Sequence, residues 1–375
     1  MKKEWQKKAL GELCDVIGGG TPSKEKSVFY SGHIPWATVR DMRQDPITET
    51  EFRITKDAVK SSSTNIIPSG SVVIATRVGL GKVCILGQDT AINQDLRGII
   101  PRNEDNLEVR YLYWWFKSIT DVIIAEGTGA TVQGVRLPFV KSLLIPFPPL
   151  DEQKRIVAKL DKAFVGLAKA KENAVKNLQN ARALFESHLQ SVFTQRGPGW
   201  AVKKLESLGE IRTGKRDANH QVENGPYPFY TCAFGQFKSP TFSFNGPSII
   251  LPGNGANVGK VFFHDGKFEA YQRTYVVNEL NQAINPRFLY FCFSANWPGW
   301  IATKQFGSAT NYIVVGDLKA FPVPTPSLAV QQATVEQLES FTEETQRLAR
   351  IYEQKLEALE SLKKSILHEA FSGNL

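Results

Sequence analysis

"FPPLDEQKRIV" occupies residues 147–157, and "FPVPTPSLAVQQATV" occupies residues 321–335. In each, an apolar run passes into spaced prolines and then into a long stretch of helical periodicity, so the chain contains an internal repeat. A shift of 178 residues lays Pro146 on Pro324, Pro148 on Pro326, Leu150 on Leu328, Gln153 on Gln331 and Val157 on Val335. The register survives to the far end, where Leu178 meets Leu356, Leu184 meets Leu362, Leu189 meets Leu367 and Phe193 meets Phe371.

The two halves also begin alike, with a different shift. "WQKKALGELCDVIGGG" from Trp5 and "WAVKKLESLGEIRTGK" from Trp200 align at 195, pairing Leu10 with Leu205 and Leu13 with Leu208. The difference between the shifts makes the second globular part a net 17 residues shorter, while the helices keep one length. Equal helices are expected to pair as struts; globular parts free to differ are expected to recognise different things. The order is therefore globular (1–149), helix (150–196), globular (197–327), helix (328–375).

Heptad spacing supports struts. Val157, Phe164, Leu178, Phe185 and Val192 fall at one heptad position, with Leu160, Leu167, Ala174 and Ala181 at the other; Lys171 and His188 interrupt them. In the second helix Val335, Leu338, Leu356, Leu359, Ile366 and Ala370 take these places. Thr342 and Thr345 weaken the middle, and Phe341, Leu348, Ile351 and Leu362 are expected to widen the stripe. Such a helix is about 65 Å long, more than one DNA turn of about 34 Å. Asp151 and Glu152 suit the positive end of the first helix, and the prolines ahead of it form a stiff exit from the globular part.

Composition is that of an ordinary globular protein, 42% hydrophobic and 22% charged, with a formal charge of +8 that permits nucleic-acid binding without requiring it. Nothing approaches the roughly 20 apolar residues of a membrane span, and "MKKEWQKKAL" lacks a signal-peptide core, so a cytoplasmic protein without a membrane partner is expected. Cys14, Cys84, Cys232 and Cys292 show no metal-site spacing and read as reduced thiols. His33, His188, His220, His264 and His368 form no metal-ligand pair either.

Inside each globular part, short strand-like runs alternate with turns: "SVVIATRVG" (71–79), "KVCIL" (82–86) and "RGIIP" (97–101), then "PSIILPG" (247–253) and "GKVFF" (259–263). Aromatic helical stretches follow, "VRYLYWWFKS" from 109 and "PRFLYFCFSA" from 286, read as core rather than base-stacking platforms. Each part is thus expected to be α+β, a twisted sheet with a few short helices.

Here a family resemblance becomes specific. "GGGTP" (18–22), "GHIPWATVRDM" (32–42), "AINQDLRGIIP" (91–101), "PPLDEQKRIV" (148–157) and "ILHEAFSGNL" (366–375) resemble the DNA-specificity subunit of type I restriction-modification systems across essentially the whole chain. The resemblance implies two target recognition domains, each reading half of a bipartite sequence in double-stranded DNA, held apart by two antiparallel helices in a pseudo-two-fold repeat. It further implies a non-catalytic subunit that docks two methyltransferase (modification) subunits and restriction (translocase/endonuclease) subunits. S-adenosylmethionine, ATP and Mg are expected on those partners, with no cofactor on this chain. The second domain departs from the pattern, with "RTGKR" (212–216) in place of "GGGTP" and "EAYQRTYVV" (269–277) in place of the "AINQD" stretch.

Bases are read by Arg and Lys on guanine and by Asn and Gln on adenine, while Lys and Arg on phosphate only position the protein. Polar residues of the Gly-rich turns are therefore the candidate DNA contacts. They are Thr21, Lys24, Arg40, Arg77, Lys82, Gln94, Arg97 and Gln133 in the first domain. In the second they are Lys215, Arg216, Asn254, Asn257, Lys260, Gln272, Arg273 and Asn311.

Signs of catalysis are lacking. "GNGANVGKV" (253–261) misses the P-loop glycine spacing and has Val261 where Ser or Thr is needed, and "GLGK" (79–82) is shorter still. The only double proline, in "FPPL", lacks the preceding Asp or Asn of an adenine methyltransferase. "EQK" at 152 and 353 has a nuclease-like spacing but sits on the helices, where i and i+2 do not share a face. The alternative to the DNA reading is a coiled-coil interaction scaffold with two ligand-binding heads.

Overall fold

A computed structural model describes residues 5–128, 134–195, 199–233, 235, 237–304 and 311–375. The chain is α+β and resolves into two compact units, Met1–Ala174 with Lys355–Leu375, and Val175–Gln354. Each unit therefore holds one globular domain with part of both long helices.

In the first unit, an antiparallel sheet runs in the order Cys14–Gly18, Leu96–Pro101, Val72–Ala75, Val83–Ile85. A second sheet orders Phe52–Ile54, Ile34–Ala37, Thr90–Ile92 and Asn65–Ile67, with Ile34–Ala37 and Thr90–Ile92 parallel. Val72, Val73 and Ile74 fill one central strand because both of its faces are buried.

The second unit repeats this topology. One sheet orders Glu210–Thr213, Thr274–Asn278, Ser248–Pro252 and Phe262–His264; the other orders Phe237–Ser239, Tyr227–Tyr230 and Glu269–Ala270. Among the described residues, no strand answers to Asn65–Ile67. The strands Tyr227–Tyr230 and Phe237–Ser239 lie closer in sequence than Ile34–Ala37 and Phe52–Ile54, which accounts for part of the shorter length.

The aromatic stretches are helices, Val109–Ser118 and Pro286–Ala302. Tyr111, Trp115 and Phe116, like Phe288, Phe293 and Trp297, are fully or almost fully buried, so these rings are core. Of the prolines ahead of the long helices, Pro146, Pro322 and Pro324 lie in two-stranded ribbons, Leu144–Pro146 on Lys7–Ala9 and Pro322–Thr325 on Ala201–Lys204. A two-stranded ribbon has only edges, which is where proline's missing N–H is tolerated.

The long helices are Leu150–Thr194 and Leu328–Phe371. Within each unit their segments run antiparallel. In the first, Arg155 donates to the Leu375 carbonyl (2.7 Å) and Lys171 pairs with Glu360 (2.6 Å). In the second, Arg182 pairs with Glu353 (2.8 Å) and the His188 ring lies 4.5 Å from that of Phe341.

Along the helices Val157, Leu160, Val335 and Leu338 are buried, and Phe164, Leu167, Leu178, Phe185, Leu356, Leu359 and Ile366 are partly buried. The four buried residues also belong to the domain cores, so helix seam and core are continuous. Of the wider stripe expected in the second helix, Phe341 is partly buried against His188, but the other three positions stay outside. Leu348, Ile351 and Leu362 are 37%, 47% and 48% exposed, because a pair of helices covers only a narrow seam on each. Thr345, read as a weak point, is buried and returns its hydroxyl to the Phe341 carbonyl (2.8 Å).

Candidate nucleic-acid interface

In the first domain the glycine turn meets the strand end at "AINQD". A Cβ on Gly19 would stand 2.1 Å from the Ile92 carbonyl oxygen, so only glycine allows this approach. The Gly20 N–H donates to Ile92 (3.0 Å), and Trp36 Nε1 donates to the Gly20 carbonyl (3.1 Å). Thr21 is thereby set against Gln94, to whose side-chain oxygen its hydroxyl donates.

Arg97 turns inward, its guanidinium donating to the carbonyls of Gln94 (3.0 Å) and Leu96 (2.8 Å). Burial, then nearby Arg77, pulls its pKa below the ordinary arginine value, with Asp95 acting the other way. Arg77 is half-exposed, 3.6 Å from Asp95, which also accepts from Asn93 Nδ2 (2.9 Å). Thr21, Gln94, Arg77 and Arg97 thus form one cluster. Lys82 closes the Arg77 hairpin, its N–H donating to Gly79 (3.2 Å).

Arg40 stands on a turn fixed by Asp41, whose carboxylate accepts from the Thr38 N–H (2.7 Å), and it pairs with Glu51 at 3.4 Å. Backbone joins this turn to the cluster, since the Asn93 N–H donates to Ala37 (3.0 Å). Lys24 is exposed on the loop after the glycine turn and is not drawn in. Gln133 lies outside the described residues.

The second domain builds the same backbone frame from different residues. A Cβ on Gly214 would stand 1.9 Å from the Ala270 carbonyl oxygen. The Asn93-to-Ala37 bond has its counterpart in Tyr271 to Tyr230 (2.9 Å). Thr76 to Asp95 (2.8 Å) is matched by Gly253 to Arg273 (2.9 Å), and Val135 to Thr76 (2.9 Å) by Ile313 to Gly253 (2.8 Å). "RTGKR" and "EAYQR" therefore stand where "GGGTP" and "AINQD" stand, although their side chains diverge.

On that frame the Arg216 carbonyl accepts from the Gln272 N–H (2.9 Å), and Asn257 Nδ2 donates to the Cys232 carbonyl (2.8 Å). The Cys232 thiol reaches the Arg273 carbonyl (3.3 Å), the Gly255 N–H bonds Asn311 (2.8 Å), and Asn254 bridges Tyr312. Lys260 joins through its N–H to Asn257 (3.0 Å), and Lys215 is exposed between Gly214 and Arg216. All eight second-domain candidates thus lie in connected loops. Sequence reasoning missed the carboxylates beneath these loops, Asp95 and Glu269; the signal available was an acidic residue inside each quoted strand-end motif.

The type I restriction modification DNA specificity domain family matches residues 2–177 and 198–358. The chain belongs to this family. It is 29% identical over 252 residues to the type I restriction enzyme MjaIX specificity subunit of Methanocaldococcus jannaschii, covering 60% of this chain and 57% of that protein. To the EcoR124I/EcoR124II specificity subunit of Escherichia coli it is 39% identical over 166 residues, 42% of this chain and 40% of that protein. A solved chain from work on complex assembly and conformational transition of the type I R-M system shares the fold, with a TM-score of 0.82 at 20% identity over 100% of this chain and 99% of that one. The chain spans about half the length of the curated relatives it matches. Among the described residues no helix is long and apolar enough to cross a membrane, and no cluster of metal-binding side chains occurs.

Proposed function

We propose that this specificity subunit reads an asymmetric bipartite DNA sequence, each domain contacting one half through its loop cluster, with an unread spacer between. One observation carries the reading: two equivalent backbone frames keep a glutamine in common, Gln94 and Gln272, but otherwise carry unlike side chains, Thr21 and Asp95 on one and Arg216 and Arg273 on the other. Equal frames give equal approach to a groove, and unlike side chains give different bases. The subunit itself performs no catalysis in this reading. Two methyltransferase subunits and the restriction subunits dock on the repeated helices in the cytoplasm and bring S-adenosylmethionine, ATP and Mg. Single-molecule mapping of methyladenine in cells with and without this gene, its neighbouring methyltransferase gene present, tests it. A bipartite motif that disappears on deletion is expected; an unchanged methylation pattern rejects the proposal.

A further inference from the structure

We infer that Arg216 reads a guanine in the half-site of the second domain, and that Glu269 is the positioning residue that aims it. The inference rests on the DNA-reading role proposed above.

Glu269 has no solvent exposure. Its carboxylate accepts from the Ser243 hydroxyl (2.8 Å), the Ala270 N–H (3.0 Å) and the Thr241 hydroxyl (3.5 Å), and Arg216 Nε stands 3.4 Å away. Burying a carboxylate is costly unless hydrogen bonds and a counter-charge compensate.

The fold does not require this charge. Glu269 pairs with Phe229 across parallel strands as Ala91 pairs with Trp36, so the first domain builds the same strand with alanine. Arg216 likewise takes the place of Thr21, and Gln272 that of Gln94. A neutral Thr–Ala arrangement has been exchanged for an Arg–Glu pair at the centre of the loop cluster.

The geometry of the pair suits base reading. The Arg216 backbone is pinned by its bridge to Tyr271 and by the bond from Gln272. The buried carboxylate holds Nε, and the side chain remains 43% exposed. The two terminal nitrogens then form a fork on the solvent side, matching the O6 and N7 acceptors of guanine. A lysine has no such fork and cannot be tethered in this way.

Methyladenine mapping with Arg216→Ala, Arg216→Lys, Glu269→Gln and the double variant Arg216→Thr/Glu269→Ala tests this, each variant being checked for folding by thermal melting. The double variant recreates the first-domain arrangement and should fold. Wild type should show a guanine in one half of its motif whose preference falls by about 5- to 150-fold in Arg216→Ala and the double variant. Arg216→Lys should not restore it, Glu269→Gln should relax the same position, and the other half should stay unchanged. Retention of every base in Arg216→Ala and the double variant overturns the inference. So does relaxation in both halves, or loss of all methylation in folded variants. A wild type without any motif would instead remove the DNA-reading role itself.

Discussion

The side-chain oxygen of Gln153 accepts the backbone N–H of Glu108 at 3.0 Å. Gln153 Nε2 also donates to the carbonyls of Asn106 and Pro148, both at 2.9 Å, so one fully buried amide fastens the long helix to the start of the aromatic helix. Gln331 repeats the arrangement with the Asn285 N–H (2.7 Å) and the Ala283 and Pro326 carbonyls. Gln153→Ala leaves several backbone groups unpaired and should cost about 3 kcal/mol. Chemical denaturation checks this; a loss below about 1 kcal/mol would show that the surrounding structure re-satisfies those groups.

Gly19 and Gly214 should be irreplaceable, each within its own domain. Because an added Cβ meets backbone carbonyls rather than a movable side chain, alanine at either site should cost about 1–3 kcal/mol. Gly214→Ala should degrade recognition of one half of the methylation motif and spare the other. Equal damage to both halves in motif mapping would contradict independent reading.

Arg77 and Arg273 are exposed on different turns of the two frames, Arg77 beside Thr76 in the first and Arg273 at the place of Asp95 in the second. Arg77→Ala and Arg273→Ala should each weaken specific DNA binding. If a phosphate contact is lost, the slope of log affinity against log salt should fall by about one. Filter binding across a salt series supplies the numbers; unchanged affinity in both variants would remove these turns from the interface.

Removing one heptad from each long helix should alter the spacer length of the recognised sequence and leave both half-sites intact, because the loop clusters belong to the globular domains. Motif mapping decides the matter, and altered half-site bases would count against it.

Burial raises the Cys14 thiol to about 12 and the Cys84 thiol to about 11. Cys292 is buried as well, whereas Cys232 is partly exposed. At pH 8 a native-state thiol titration should find one fast-reacting group, absent in Cys232→Ser. Since the folded-state values of Cys14 and Cys84 lie above the ordinary 9.0, their contribution to stability is intact below pH 9. It is then lost as pH rises toward 11–12, because only the unfolded thiols release protons there. Stability that rose between pH 9 and 11 would reverse this sign.

By itself the sequence determined what depends on local periodicity: the repeat, the two long helices, the α+β domains and the glycine turns. An apolar stripe or a strand alternation is written in near neighbours, and a 178-residue register survives because the helices admit no insertion. Only the tertiary structure decided which polar groups meet. "RTGKR" and "GGGTP" look unrelated, yet both set a glycine against the same strand end, since a backbone carbonyl excludes any Cβ whatever the flanking residues. Arg97 looks like a solvent-facing contact and is drawn inward by carbonyls of its own turn. Leu348, Ile351 and Leu362 look like seam residues and face outward, because a second helix covers only one narrow strip. Burial of Glu269 beneath Arg216 depends on residues 26 to 53 positions away in the chain, brought together through loops that have no periodicity to mark them.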